Sequence, residues 1–174
     1  QIILKKDLDI LHTNKNPKNV WDSMANKMID TIKEKNINFL QDCNLNPIHG
    51  SDEELSYKHF IELMNSNFFI NNILFKIKDP IFGNPCNYKF FSGASTSTIL
   101  HYFYINLIYE KFNINLFKDI DIIYEIGGGY GNFARIINSL GYLGEYEIVD
   151  LKTMGSIQKY YLKKTLITKQ LNNI

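Results

Sequence analysis

The chain has 174 residues, of which 45% are hydrophobic and 21% are charged, a balance typical of a globular protein and not of a disordered one. Its formal net charge of +1 argues against the strongly basic face that binds nucleic acid. Because the sequence contains no run of about 18 apolar residues, we expect a cytoplasmic protein that does not enter a membrane.

Metal and redox chemistry have little support in the sequence. The two cysteines, Cys43 and Cys86, and the four histidines stand at no spacing typical of a metal site or a redox pair. A basic cluster near the end of the chain is typical of a solvated helix face. Its members are Lys159, Lys163, Lys164 and Lys169. We therefore expect no bound metal and no nucleic-acid partner.

The first part of the chain is predicted to be mainly helical. Asn16 followed by Pro17 is a helix-start signal, with a capping side chain before a proline in the first turn. Apolar residues at helical spacing then predict an amphipathic helix over 17–35, with Trp21 on its apolar face.

Further helices are predicted after a polar break in the chain. Ser51 and Glu54 form a capping-box signature at the start of one helix. The apolar run 68–77 also indicates a helix, with a strand as the alternative. A long irregular segment over 79–97, rich in turn residues, is uncommon in a compact region unless it is functional. It leads into a helix over about 97–112.

The second part of the chain alternates between strand and helix patterns. The apolar run 120–126 is typical of a strand buried on both faces of a parallel sheet, and a glycine-rich turn follows at 127–131. A helix over about 131–140, a second strand over 145–150 and another helix from about Ser156 complete the pattern. This βαβα order predicts an α/β fold in which the two strands are parallel neighbours.

Three features at the strand ends point to chemistry when they are taken together. Glycines at a strand-to-helix turn allow backbone N–H groups to face a ligand, although tight turns use glycine as well. Glu125 ends an apolar strand, where its carboxylate either caps backbone amides or meets a cationic ligand. Asp150 ends the second strand about twenty residues later, where nucleotide sites place a carboxylate for ribose hydroxyls. The combination favours a nucleotide site over a purely structural turn.

A nicotinamide site is the first alternative. Residues 129–134 fit the GxGxxA form of a dinucleotide fingerprint. In that fingerprint the first glycine directly follows the strand, whereas here Gly127 and Gly128 would have to be skipped. An NAD-dependent oxidoreductase therefore stays an alternative. A second alternative is a non-catalytic subunit that keeps the fold for partner binding, although intact glycines and acids argue against it.

A resemblance to a known family rests on three segments. Residues 124–131, Tyr-Glu-Ile-Gly-Gly-Gly-Tyr-Gly, resemble motif I of class I S-adenosylmethionine-dependent methyltransferases. Together with Tyr-Glu-Ile-Val-Asp-Leu at 146–151 and Gln-Lys-Tyr-Tyr-Leu at 158–162, they resemble a family of sugar O-methyltransferases of bacterial gene clusters. The resemblance is specific over about residues 90–162.

The resemblance implies a Rossmann-like class I methyltransferase fold, of which the chain holds the first βαβα. Residues 1–94 would form a helical N-terminal region, and residues 95–174 would form the N-terminal part of the S-adenosylmethionine-binding domain. We expect this domain to be incomplete, because the further strands of the fold are not encoded here.

The same resemblance implies a cofactor site for S-adenosyl-L-methionine. The backbone of the glycine loop would lie against the methionine and ribose parts of the cofactor. Glu125 would serve the methionine amino end. Asp150 would accept hydrogen bonds from the ribose hydroxyls, and Leu151 would lie near the adenine. The loop residues concerned are Gly127, Gly128, Gly129, Tyr130 and Gly131. Tyr130 and the segment 95–97 would close over the cofactor.

The implied reaction transfers a methyl group from the sulfonium to an oxygen of a small-molecule or glycan acceptor, a sugar or a sugar-bearing intermediate. Such a reaction depends on positioning and on a general base that takes the hydroxyl proton. No base can be assigned from the sequence. His101 lies near the site in sequence, but on an aromatic-rich helix a histidine is more often a packed residue than a base.

Overall fold

The computed structural model describes residues 8–34, 37–41, 52–76, 78–86 and 88–166. Within these ranges the fold is mixed α/β. The helices and strands, in chain order, are α1 (Val20–Lys33), α2 (Glu53–Met64), α3 (Asn67–Asn72), α4 (Thr96–Phe112), β1 (Ile122–Ile126), α5 (Asn132–Ser139), β2 (Glu145–Val149) and α6 (Lys152–Thr165).

Short polar side chains start the first four helices, because each accepts a hydrogen bond from a backbone N–H group of the first turn. The caps are Asn19, Asp52, Ser66 and Ser95. The prediction that Asn16 and Pro17 start the first helix is wrong: the helix begins only after Asn19, whose Oδ1 accepts from the Asp22 N–H at 2.8 Å. Ser51 of the predicted capping box and Cys43 lie outside the described residues.

Where the structure describes it, the apolar run 68–77 is helical only in its first part: α3 ends at Asn72, and residues 73–76 form a turn. The predicted helix before the first strand is confirmed, since α4 spans Thr96–Phe112. Helix α6 begins at Lys152, earlier than the predicted start at Ser156, and so contains Gly155. Glycine costs a helix about 1 kcal/mol relative to alanine. Burial of Met154 and Ile157 on either side of it outweighs that cost.

The two strands form a parallel pair, as predicted. The register runs from Ile122 opposite Glu145 to Ile126 opposite Val149, and α5 connects the strands. Parallel pairing places the C-terminal ends of both strands at the same edge of the sheet. The turns that follow the two strands therefore meet there.

The expectation that β1 is buried on both faces is not met. Ile122, Tyr124 and Ile126 point to one face of the sheet, where Tyr124 is 65% and Ile126 is 87% exposed. On the other face, Ile123 packs against the core and Tyr146 is buried. An apolar run thus predicts a strand correctly without deciding which of its faces the rest of the fold covers.

The packing joins the helical first part to the strand region. Helix α2 packs against α4, α4 packs against α5, and α1 packs against α6. Contacts therefore cross the domain boundary that was predicted between residues 94 and 95. The division of the chain into two domains stays a prediction. None of the helices in the described ranges has both the length and the apolar character needed to span a bilayer.

Candidate functional site

An open cleft lies where the two strands end. Its volume is about 470 Å³. We call it the strand-end cleft, and the residues that line it are Asn19, Trp21, Gly127, Gly129, Asp150, Leu151 and Met154. Four of the predicted cofactor-binding residues are thereby brought together: Gly127, Gly129, Asp150 and Leu151.

The glycine loop turns tightly from β1 into α5. The N–H of Gly127 continues the sheet ladder by donating to the Val149 carbonyl at 2.9 Å, and the N–H of Gly131 donates to the Gly128 carbonyl at 2.9 Å. Gly127 has a φ of +73°, and a Cβ placed on it would meet nothing within 4 Å. The loop therefore exposes backbone to open space at Gly127. No side chain caps the start of α5, whose N-cap is Gly131.

Asp150 is held in place by two hydrogen bonds. Its Oδ1 accepts from the Leu151 N–H at 2.7 Å, and its Oδ2 accepts from Gln158 Nε2 at 2.7 Å. The same Nε2 also donates to the Gly129 carbonyl at 3.0 Å. Each carboxylate oxygen has two lone pairs, so both oxygens can accept a further hydrogen bond from a ligand hydroxyl.

Glu125 lies on the packed face of the sheet, beneath the glycine loop. The Tyr146 hydroxyl donates to Glu125 Oε2 at 2.8 Å. A Cβ on Gly128 would lie 3.0 Å from that same oxygen, so the glycine lets the loop cross directly over the carboxylate. Burial raises the pKa of Glu125 above its ordinary value, although the hydrogen bond from Tyr146 opposes the rise. Glu125 is not among the residues that line the cleft.

The Tyr130 side chain points into the core and not into the cleft. It is 2% exposed, and its ring packs edge-on against the ring of Tyr161 with centroids 5.0 Å apart. The side chain cannot close over a ligand in the strand-end cleft from this position, so only the backbone of Tyr130 can contribute there. Ser95 and Ser97 are also buried, and Ser95 is occupied in capping α4.

A buried ion pair links the first turn of α5 to the segment that precedes α4. Arg135 Nη2 lies 3.0 Å from Asp79 Oδ1, and both side chains are 4% exposed. Arg135 Nη1 also donates to the Lys78 carbonyl, and Nε donates to Asn132 Oδ1 at 2.9 Å. The backbone N–H of Ser95 donates to Asp79 as well. The irregular segment predicted over 79–97 is therefore tied to the helix that follows the glycine loop.

His101 belongs to this buried network. Its Nδ1 lies 3.2 Å from Asn132 Nδ2, and its ring packs against Phe133. Burial, with the nearby charge of Arg135, lowers the pKa of His101 to about 3. The imidazole is therefore neutral near pH 7 and is a weak base, in agreement with the prediction that it is a packed residue.

Helix α1 and its N-cap residue contribute side chains to the site that no sequence pattern had assigned to it. Periodicity predicted Trp21 on the apolar face, yet it is 48% exposed, and the buried face instead carries Met28, Ile29 and Ile32. Trp21 and Asn19 line the strand-end cleft although they lie more than a hundred residues before it in the chain. No local pattern could have predicted this placement.

Gln158 belongs to one of the three segments that carry the family resemblance, but the sequence assigned it no role in the site. One signal could have singled it out: it is a polar residue among the apolar residues Ile157, Tyr160 and Tyr161 of a helix. A buried polar side chain in that setting requires partners. Gln158 finds them in Asp150 and Gly129.

The described parts of the chain contain no group of three or more His, Cys, Asp or Glu side chains that could hold a metal ion. His49 lies outside these parts. Comparisons with protein-family models, with curated proteins and with solved structures find no match for this chain.

Proposed function

We propose that this chain binds S-adenosyl-L-methionine in the strand-end cleft and is the cofactor-binding part of a class I O-methyltransferase with a Rossmann-like core. One observation carries the proposal. The glycine turn after β1 and the acid that ends β2 line a single cleft at the C-terminal edge of two adjacent parallel strands. In open α/β sheets, nucleotide ligands bind at this edge.

The polar groups of the cleft suit the parts of the cofactor. The carboxylate of Asp150, held by Gln158, is available to the two ribose hydroxyls as a charged acceptor. Gly127 and Gly129 line the cleft, and their backbone can approach the methionine part because no Cβ intervenes. Glu125 lies beneath this loop, and its carboxyl group would serve the methionine amino end directly or through water. The ligand would thus lie across the ends of both strands.

The reaction we propose is an in-line substitution. The acceptor oxygen forms a bond to the methyl carbon while the carbon–sulfur bond breaks, and the sulfonium becomes the neutral thioether of S-adenosylhomocysteine. The hydroxyl proton passes to a general base. We propose a sugar or a sugar-bearing small molecule as acceptor, on the strength of the three sequence segments that resemble sugar O-methyltransferases.

Equilibrium binding tests the proposal. We expect isothermal titration calorimetry of the full chain to show one site for S-adenosylhomocysteine, and weaker or no binding of NAD⁺ under the same conditions. Binding of NAD⁺ without S-adenosylhomocysteine would instead support the oxidoreductase alternative. Binding of neither ligand would contradict a nucleotide site in this cleft.

A further inference from the structure

We infer that Trp21, from the first helix, is the wall against which the adenine ring of the cofactor stacks. This inference rests on the proposed function and goes beyond it, since it assigns part of the cofactor site to the helical N-terminal region. Trp21 is 48% exposed and lines the strand-end cleft together with Leu151 and Met154. A large aromatic ring left half-exposed in a cleft offers a face for another planar group.

The backbone that carries Trp21 is anchored to the start of α6. The neighbouring residue Asp22 is buried, and its Oδ1 accepts from Thr153 Oγ1 at 3.0 Å. Its Oδ2 accepts from Asn14 Nδ2 at 2.9 Å and from Asn19 Nδ2 at 3.3 Å. Thr153 follows Leu151 by two residues, so these bonds hold Trp21 beside the same turn that carries Asp150. The aromatic wall is therefore positioned before a ligand arrives.

The arrangement of the lining favours the adenine over the methyl acceptor as the group that contacts Trp21. If Asp150 accepts hydrogen bonds from the ribose hydroxyls, the adenine must lie close to its carboxylate, because the adenine is bonded to the same ribose ring. The apolar lining begins there, with Leu151 next to Asp150 in the chain and Met154 one helical turn further. Gly127 and Gly129 also line the cleft, and backbone without a Cβ there suits the amino-acid part.

Trp21 is the single tryptophan of the chain, which allows a direct test. We would titrate the full chain with S-adenosylhomocysteine, adenosine and methionine, and follow tryptophan fluorescence and calorimetric heat. We expect S-adenosylhomocysteine and adenosine to change the fluorescence and methionine to leave it unchanged. Base–aromatic stacking predicts that Trp21→Leu weakens both adenosine-containing ligands by roughly 5- to 150-fold. Trp21→Phe keeps an aromatic face and should lose less.

Phe112→Ala is the matched control, because Phe112 is 66% exposed and does not line the cleft. We expect it to bind as the unmodified chain does, and thermal melts should show that all variants are folded. Normal affinity of Trp21→Leu for both ligands would overturn the inference about Trp21 while leaving the proposed function intact. Failure of the unmodified chain to bind either ligand would overturn both.

Discussion

Gln158 and Asp150, eight residues apart in the chain, are joined by a hydrogen bond of 2.7 Å from Nε2 to Oδ2. The same amide nitrogen reaches the carbonyl of Gly129 at 3.0 Å. One buried side chain on α6 thus connects the turn after β1 to the turn after β2. Both of these turns line the strand-end cleft.

Gln158→Leu keeps the approximate side-chain volume but removes the donor from both acceptors. Hydrogen bonds to charged groups contribute about 1.5–3 kcal/mol, so we expect a loss of about this size in the free energy of unfolding. Affinity for S-adenosylhomocysteine should fall as well, because Asp150 loses its anchor. Urea denaturation and calorimetry measure the two effects. Lys159→Ala, on the exposed side of the same helix, should change neither. Unchanged stability of Gln158→Leu would mean that this bridge is not formed in solution.

Asp150→Ala separates a ligand-binding role from a structural one. If the carboxylate accepts from both ribose hydroxyls, we expect a loss of about 2–4 kcal/mol in binding, on the order of 30- to 1000-fold in affinity. If Asp150 only holds the Leu151 N–H, the result should instead be about 1 kcal/mol of lost stability with near-normal affinity. Calorimetric titration beside a thermal melt distinguishes the two. Glu147→Ala, an exposed acid on β2, the strand that precedes Asp150, is the control.

Gly127→Ala places a methyl group in the strand-end cleft at a positive φ. The left-handed backbone should cost about 1–2 kcal/mol of stability. Gly141 provides a matched control, because it also has a positive φ, of +98°, and open space around its missing Cβ, but it does not line the cleft. We expect both alanine variants to lose similar stability, and only Gly127→Ala to lose affinity for S-adenosylhomocysteine. Equal affinities in the two variants would argue against ligand contact at Gly127.

The buried pair of Asp79 and Arg135 should be sensitive to the loss of one partner. Arg135→Met leaves the Asp79 carboxylate buried without its cation, which typically costs about 3–5 kcal/mol. In a double-mutant cycle with Asp79→Asn, we expect the double variant to lose less stability than the sum of the two single variants. Lys58→Ala, which removes an exposed ion pair with Glu54, should leave the urea midpoint unchanged. Additive effects at Asp79 and Arg135 would contradict coupling between them.

Glu125 should make stability depend on pH in a defined direction. Burial raises its pKa in the folded state, so the folded protein favours the protonated carboxyl. Its contribution to stability is therefore fully present below the unfolded pKa, and is lost as the pH rises through the higher folded pKa. Glu125→Gln stays neutral throughout. The free energy of unfolding of the variant, relative to that of the original chain, should therefore increase as the pH rises from acidic to neutral. Urea denaturation across this range measures the difference, and a difference that does not vary with pH would contradict the raised pKa.

Much of the strand region could be predicted from local sequence. Apolar runs of strand length, a glycine turn and helical periodicity predict β1, α5, β2 and their parallel pairing, because each signal reports on a few adjacent residues. Parallel pairing then places Gly127, Gly129 and Asp150 at one edge without further information. The boundaries of the helices were less predictable. The start of α1, for example, depends on which of several asparagines accepts a hydrogen bond from a first-turn N–H group, and in the structure this is Asn19.

The tertiary structure alone decided which groups surround that edge. Trp21 reaches the strand-end cleft because Asp22 docks α1 against α6, a contact between residues more than a hundred positions apart. Tyr130 turns into the core because Tyr161 packs against it, although the sequence placed it in a loop expected to contact a ligand. Periodicity reports that a side chain is apolar, but burial depends on which distant element covers it, and that is settled by packing across the whole chain.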